Sequence, residues 1–464
     1  MCIICVSTIS IASLIAPAHA PDQAPAQSLT QASIQINTTA KAGSACSKAG
    51  ITSVVSGKTF TCIKSGKKLV WNKGVVVPER KPNISPASSL LDPNLCKLQK
   101  PRNLQMDDGP EGSVGFPRNS ESLVSLGNRK GLVLYVEFPD VKATSSLKST
   151  WEKSSIPIAE KLMKESSYGK FNLRIDATKA IYKLTKPSTY YNLIEAPGGG
   201  PVPNAPRPKL DEVIHDAMAL ADPDIDFSQY SFVTVASPDS ETLSLGGATG
   251  LGPNLKEFDG VTFTKAAFQA LNGLTPITKK YKTLNFTHDI GHLLGLMHPY
   301  PDMSPVHGAW DIMWNFAYQN DFLGWNKWKL NWIADEQISC LDKNFTGEIV
   351  ALISPVGTIS NDKKIVVIKV DATNALAIEV RRKSIFDSLK SSDEGVIVYK
   401  VDTTKTQSQG PFTIISNPSK VINCENFTCV LGTMKPGEST KISGLEIKVI
   451  QSSSEGDYVS IKKS

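Results

Sequence analysis

Thr287-His288-Asp289-Ile290-Gly291-His292-Leu293-Leu294-Gly295-Leu296-Met297-His298 is the stretch on which the reading of this 464-residue chain turns. His288 and His292 are four residues apart, so on an α-helix both imidazoles stand on one face, where they can share a cation. The spacing predicts a helix that begins near Thr283 and ends at Gly295. A glycine there can take the left-handed conformation that stops a helix, after which the chain turns back and brings His298 to the same point. Three neutral imidazoles with a fourth position left to water form the donor set of catalytic zinc. The competing reading is three ordinary histidines on a half-buried helix. The chain has only 6 His in all, and three of them fall in this pattern.

The pattern resembles the metzincin zinc-peptidase signature H-E-x-x-H-x-x-G-x-x-H, with Asp289 in the place of the signature's glutamate. What the resemblance implies is a zinc ion on His288, His292 and His298, a structural role for Gly295, and a methionine turn beneath the metal. Trp310-Asp311-Ile312-Met313-Trp314-Asn315 offers Met313 for that turn, although a methionine alone more often just fills core space. Further stretches are similar to the immune inhibitor A family of secreted bacterial metallopeptidases. They are Val136-Glu137-Phe138-Pro139-Asp140, Ser166-Ser167-Tyr168-Gly169-Lys170-Phe171, Asp224-Ile225-Asp226-Phe227-Ser228-Gln229-Tyr230, and Leu323 through Trp332. The resemblance implies an endopeptidase acting on protein or peptide substrates, with Asp289 as general base and Ca2+ as a stabilising ion. No EF-hand-like acidic spacing is present.

Asp289 has one methylene less than glutamate, a shortfall of about 1.5 Å, and errors near ~1 Å at a reacting centre can slow a reaction on the order of 10²-fold. Two functions therefore stay open: a secreted zinc endopeptidase, and a metal-holding pseudopeptidase that serves as a surface or binding protein. Tyr318 is the nearest candidate to steady an oxyanion, at an irregular spacing. Gly246-Gly247-Ala248-Thr249-Gly250 reads either as an edge that receives an extended substrate or as a plain flexible loop. His215 has no companion at ligand spacing and reads as a boundary residue.

The expected architecture is a mixed α/β (α+β) metzincin-like zinc-peptidase domain over 116–340, then an all-β, sandwich-like C-terminal domain over 341–464. A small Cys-containing β module over 41–77 precedes them, between linkers at 21–40 and 78–115. Apolar, partly β-branched runs mark buried strands at 131–140, 171–175 and 232–236. Pro157 suits the first turn of a helix, and Leu210, Val213, Ile214, Ala217 and Ala221 recur at helical spacing. Beyond Glu348, short strands alternate with turns rich in Gly, Asn, Asp and Ser.

Residues 1–20 read as an export signal, with an apolar run from Cys2 to Ile15 and small residues at Ala18 and Ala20. No Lys or Arg precedes Lys41, so the usual basic start is missing; an uncleaved anchor is the alternative, with a run short for a bilayer. The product is expected to be secreted, with cell-surface association open, and monomeric. Net charge is +6, and over the whole chain the lysines are scattered rather than gathered into a stripe, which argues against nucleic acid as a partner.

Of 8 Cys, Cys2 and Cys5 lie in the signal, leaving six, an even number suited to an oxidising compartment. The pairing adopted is Cys46 with Cys62, Cys424 with Cys429, and by elimination Cys96 with Cys340. A propeptide cysteine that ligates the metal is the alternative use of Cys46 or Cys96.

Overall fold

The computed structural model describes residues 40–55, 58–76, 81–101, 113–193, 206, 208–238, 246–250, 257–270, 282–298, 310–313, 320–389, 391–406, 409–415 and 432–464. The expected export signal, the 21–40 linker apart from Ala40, Tyr318, and the cysteines Cys424 and Cys429 lie outside these residues. The protein is mixed α/β, with several sheets and few helices. Two units divide it, 1–81 and 82–464. Among the described residues no helix is long and apolar enough to cross a membrane.

In the first unit, strands β1 (Thr52–Val55), β2 (Lys58–Ser65), β3 (Lys68–Trp71) and β4 (Val75–Val76) form an antiparallel sheet around β2. Phe60 and Cys62 alternate inward along β2 and meet Trp71 and Ala40. That core is too small to hold a fold of this size by burial alone, and the Cys46–Cys62 disulfide closes it.

In the second unit β5 (Gly127–Glu137) is followed by α1 (Ser146–Thr150), a π-helical turn (Trp151–Ser155) and α2 (Ile156–Ser166), with Pro157 in its first turn. Then follow β6 (Phe171–Ala177), β7 (Tyr182–Lys183), α3 (Leu210–Ala221), β8 (Phe232–Ser237) and β9 (Gly246–Gly250). A short hairpin, β10 (Glu257–Phe258) and β11 (Val261–Thr262), leads into β12 (Lys265–Ala270) and α4 (Lys282–Leu293). The sheet order is β6-β5-β8-β12-β9, with β7 also against β5. All neighbours are parallel except β9, the antiparallel edge. Helices cover both faces, which is why Leu132 to Val136 of β5 are an unbroken apolar run. Val133 and Tyr135 pack with α2 and α4, and Leu132, Leu134 and Val136 pack with α3.

After α5 (Gly324–Lys329) the chain is strands: β13 (Ile338–Asp342), β14 (Glu348–Ile353), β15 (Ile365–Lys369), β16 (Asn374–Arg381), β17 (Gly395–Asp402), β18 (Phe412–Ile415), β19 (Ser439–Ile442), β20 (Leu445–Ser452) and β21 (Asp457–Lys463). They form sheets β13-β15-β16-β17-β18 and β14-β21-β20-β19, whose inner faces share one core. The other face of the five-stranded sheet is also buried, under Trp325 and Trp328 of α5, Phe116 and Leu98. Residues 85–96, within the stretch read as a linker, lie along these strands. Leu91 bridges Cys340, Ser85 bonds Val350, and Cys96 is disulfide-bonded to Cys340. Both cysteines that could have served a metal-ligating propeptide are thus bonded elsewhere.

Charged side chains are buried where α5 meets β16. Arg381 donates to Glu379 at 3.0 Å and to Asp387 at 2.7 Å, and also to the backbone carbonyls of Asp321 and Phe322. Asp321 pairs with Lys327 and accepts from Ser166. Glu379 accepts from the Gly324 amide and the Tyr399 hydroxyl. Burial raises the carboxyls of Glu379 and Asp387, and the Arg381 charge pulls both back. Replacing Arg381 by Met strands these carboxylates, so stability falls by about 3–5 kcal/mol. A carboxyl with a raised folded pKa gains from protonation in the native state. The Arg381→Met deficit is therefore larger at neutral pH and narrows as pH falls, which urea unfolding across that range measures.

Candidate metal centre

The α4 helix lies against the sheet with Ile290 and Leu293 in the core. It ends as the glycine at 295 requires. The amide of Leu296 bonds the Gly291 carbonyl at 3.0 Å, that of Gly295 bonds His292 at 2.9 Å, and Gly295 has φ +85. This is a Schellman stop, in which a left-handed residue satisfies the last helical carbonyls. A Cβ at Gly295 would also overlap the Ser122 hydroxyl. The chain then reverses and returns His298 to the helix.

The Nε2 atoms of the three histidines meet: His288 to His292 3.1 Å, His288 to His298 3.1 Å, and His292 to His298 3.2 Å. On the far side of two rings, Nδ1 donates to a carbonyl, His288 to Ile312 at 2.8 Å and His292 to Leu296 at 2.9 Å. A carbonyl only accepts, so Nδ1 carries the hydrogen and Nε2 presents its lone pair to the meeting point. Burial pushes His288 down to about 3, with His298 adding to the effect, and drives His292 well below the ordinary range. Both are neutral at ordinary pH, the form that binds metal. An ion about 2.0–2.1 Å from each nitrogen, the Zn–N distance, would see its neighbours about 100° apart, near the tetrahedral angle. The triad could hold a metal ion, and among the described residues no other group of three or more His, Cys, Asp or Glu converges in this way. His298 is half-buried while its two partners are buried.

Asp289 lies on the same helix, buried, and accepts a hydrogen bond from the Gln269 amide on β12. Burial raises it to about 7 and the Gln269 bond pulls it back. Its one described hydrogen bond runs toward the sheet. Met313 lies under α4 against Gly291, where a Cβ would overlap its sulfur. The segment is held by Asp311, whose carboxylate accepts from the amides of Met313 and Leu323 and from the Asn326 side chain, each at 2.8 Å. Burial pushes Asp311 up to about 6, and those bonds pull it back.

Residues 246–250 form the edge strand β9, next to β12, rather than a plain loop. His215 sits on α3, beside Asp216 and the Phe258 ring and away from the triad. A cavity of about 720 Å³ opens at the opposite edge of the sheet, and none of the three histidines lines it. Sequence reasoning missed Gln269, Gly291 as a packing position, and the Ile312 and Leu296 carbonyls. Only the glycine had a local signal, its place between the two helical histidines.

Gly291→Ala is expected to displace Met313 and with it the Ile312 carbonyl. Stability should fall by about 1–3 kcal/mol, as overpacking does, and metal affinity by about 10- to 100-fold, as loss of an outer-shell partner does; thermal melting and competitive metal titration read the two. The sequence matches no protein-family model, and no curated protein is detectably similar to it.

Proposed function

We propose that the protein is a zinc-dependent endopeptidase, exported from the cell, whose metal is held by His288, His292 and His298. The observation that carries this is the convergence of three Nε2 atoms within 3.1–3.2 Å of one another, two of them on rings pinned by carbonyls. Three imidazoles and no fourth protein ligand among the described residues match a catalytic rather than a closed structural zinc site. Zinc bound there would supply polarisation of a scissile carbonyl and a more acidic water. The residue in the general-base place is Asp289, whose carboxylate would accept a proton from an attacking water and return it to the leaving amine. A peptide substrate is favoured by β9, which ends the sheet order beside β12, two strands that both pack near α4. An extended chain can add to such an edge through its backbone. Two disulfides support an oxidising destination.

One observation favours the second reading, a metal-holding protein without turnover. Asp289 is short and is engaged by Gln269.

Casein hydrolysis and metal content of the purified, zinc-loaded protein separate the two. His292→Ala is expected to lose both metal and activity. Asp289→Ala keeps the metal and slows hydrolysis by about 10²–10⁴-fold. Equal background rates from all three proteins would exclude the peptidase and leave the binding role.

A further inference from the structure

The charge of the chain is not evenly spread. Residues 40–76 contain seven lysines and no Asp or Glu. With 50 Lys and Arg against 44 Asp and Glu in the chain, setting those seven aside leaves 43 against 44. The basic excess of the protein therefore sits entirely in its small first unit. All seven, Lys41, Lys48, Lys58 and Lys73 together with Lys64, Lys67 and Lys68, are exposed, and among the described residues none has an ion-pair partner.

Their placement narrows the partner. Strands β2 and β3 are joined by a tight turn in which Gly66 has φ +60. Lys64, Lys67 and Lys68 crowd its tip. Ile63, 44% exposed, stands one residue below on β2, and Val75, 66% exposed, lies on β4 opposite Thr59. Like charges gathered at one hairpin tip repel one another. A polyanion relieves that repulsion. The unit's aromatic side chains Phe60 and Trp71 are buried, so the unit has no exposed ring on which nucleic-acid bases could stack. Exposed aliphatic residues among lysines fit instead a headgroup layer, where the cations meet phosphates and the apolar groups reach the acyl boundary.

We propose that the β2–β3 hairpin of the first unit docks the protein onto an anionic lipid surface. The inference is independent of the metal centre. Each lysine near an anionic membrane strengthens binding about fivefold, so the three at the tip contribute about 100-fold in partition coefficient.

Sedimentation of the full chain with phosphatidylcholine vesicles, with and without about a quarter phosphatidylglycerol, tests it at low salt, where such attraction is least screened. Binding is expected only to the anionic vesicles and should fall about 100-fold in the triple variant Lys64→Gln, Lys67→Gln, Lys68→Gln. The three side chains are exposed, so folding should persist, checked by the retained Cys46–Cys62 bond. A control that removes the same charge from the second unit, Lys161→Gln, Lys441→Gln, Lys448→Gln, should bind as the parent does. The proposal is overturned if the parent ignores anionic vesicles or binds neutral ones equally. It is also overturned if the control loses as much as the hairpin variant, or if duplex DNA at the same ionic strength binds more tightly than the vesicles.

Discussion

The contact between Gly291 and Met313 is the constraint from which the rest of the site follows. A glycine on the buried face of α4 admits a sulfur where any other residue would place a Cβ. The chain segment 310–313 can then lie close enough for the Ile312 carbonyl to hold His288 Nδ1. That bond sets which nitrogen faces the meeting point, and tautomer and ring orientation decide metal affinity as much as the identity of the ligand. His292 is pinned independently, by the carbonyl that follows the helix stop. The orientation of the two helical imidazoles is thus set by backbone carbonyls on both sides of the helix.

The same segment joins the histidine helix to the C-terminal strands. Asp311 links Met313 to Leu323 and Asn326. From there α5 is tied to β16 through Gly324, Glu379 and Arg381. Buried ion pairs of this kind contribute little net stability compared with apolar packing, since desolvation offsets most of the attraction. Their value here is directional. Hydrogen bonds at fixed angles hold α5 in one place on the five-stranded sheet, whereas a purely apolar face would tolerate sliding. The β region, which contains no catalytic group of its own that we identify, acts on the histidines by fixing the segment beneath them.

Much of this could be read along the chain because it is local. The spacing of His288 and His292, the helix stop at Gly295, Pro157 in the first turn of α2 and the apolar runs of β5, β6, β8 and β15 are all periodic or punctuating signals. The pairing of Cys46 with Cys62 lies within one small unit. The lysine-rich composition of 40–76 was equally open to view. A whole-chain charge concealed it, because acidic residues elsewhere nearly balance the rest.

What the sequence alone determined is the helix, its two facing histidines and the glycine that turns the chain back, since each depends on residues within one or two turns. Tertiary structure decided that Gln269 engages Asp289, that β9 takes the sheet edge, that Met313 meets Gly291, and that Arg381 reaches the distant backbone carbonyls of Asp321 and Phe322. Gln269 and Asp289 are twenty residues apart and Gly291 and Met313 twenty-two, and only the order of strands and the burial of α4 bring them within contact distance. Hydrogen bonds between distant residues leave no periodicity behind, so nothing in the linear pattern could have announced them.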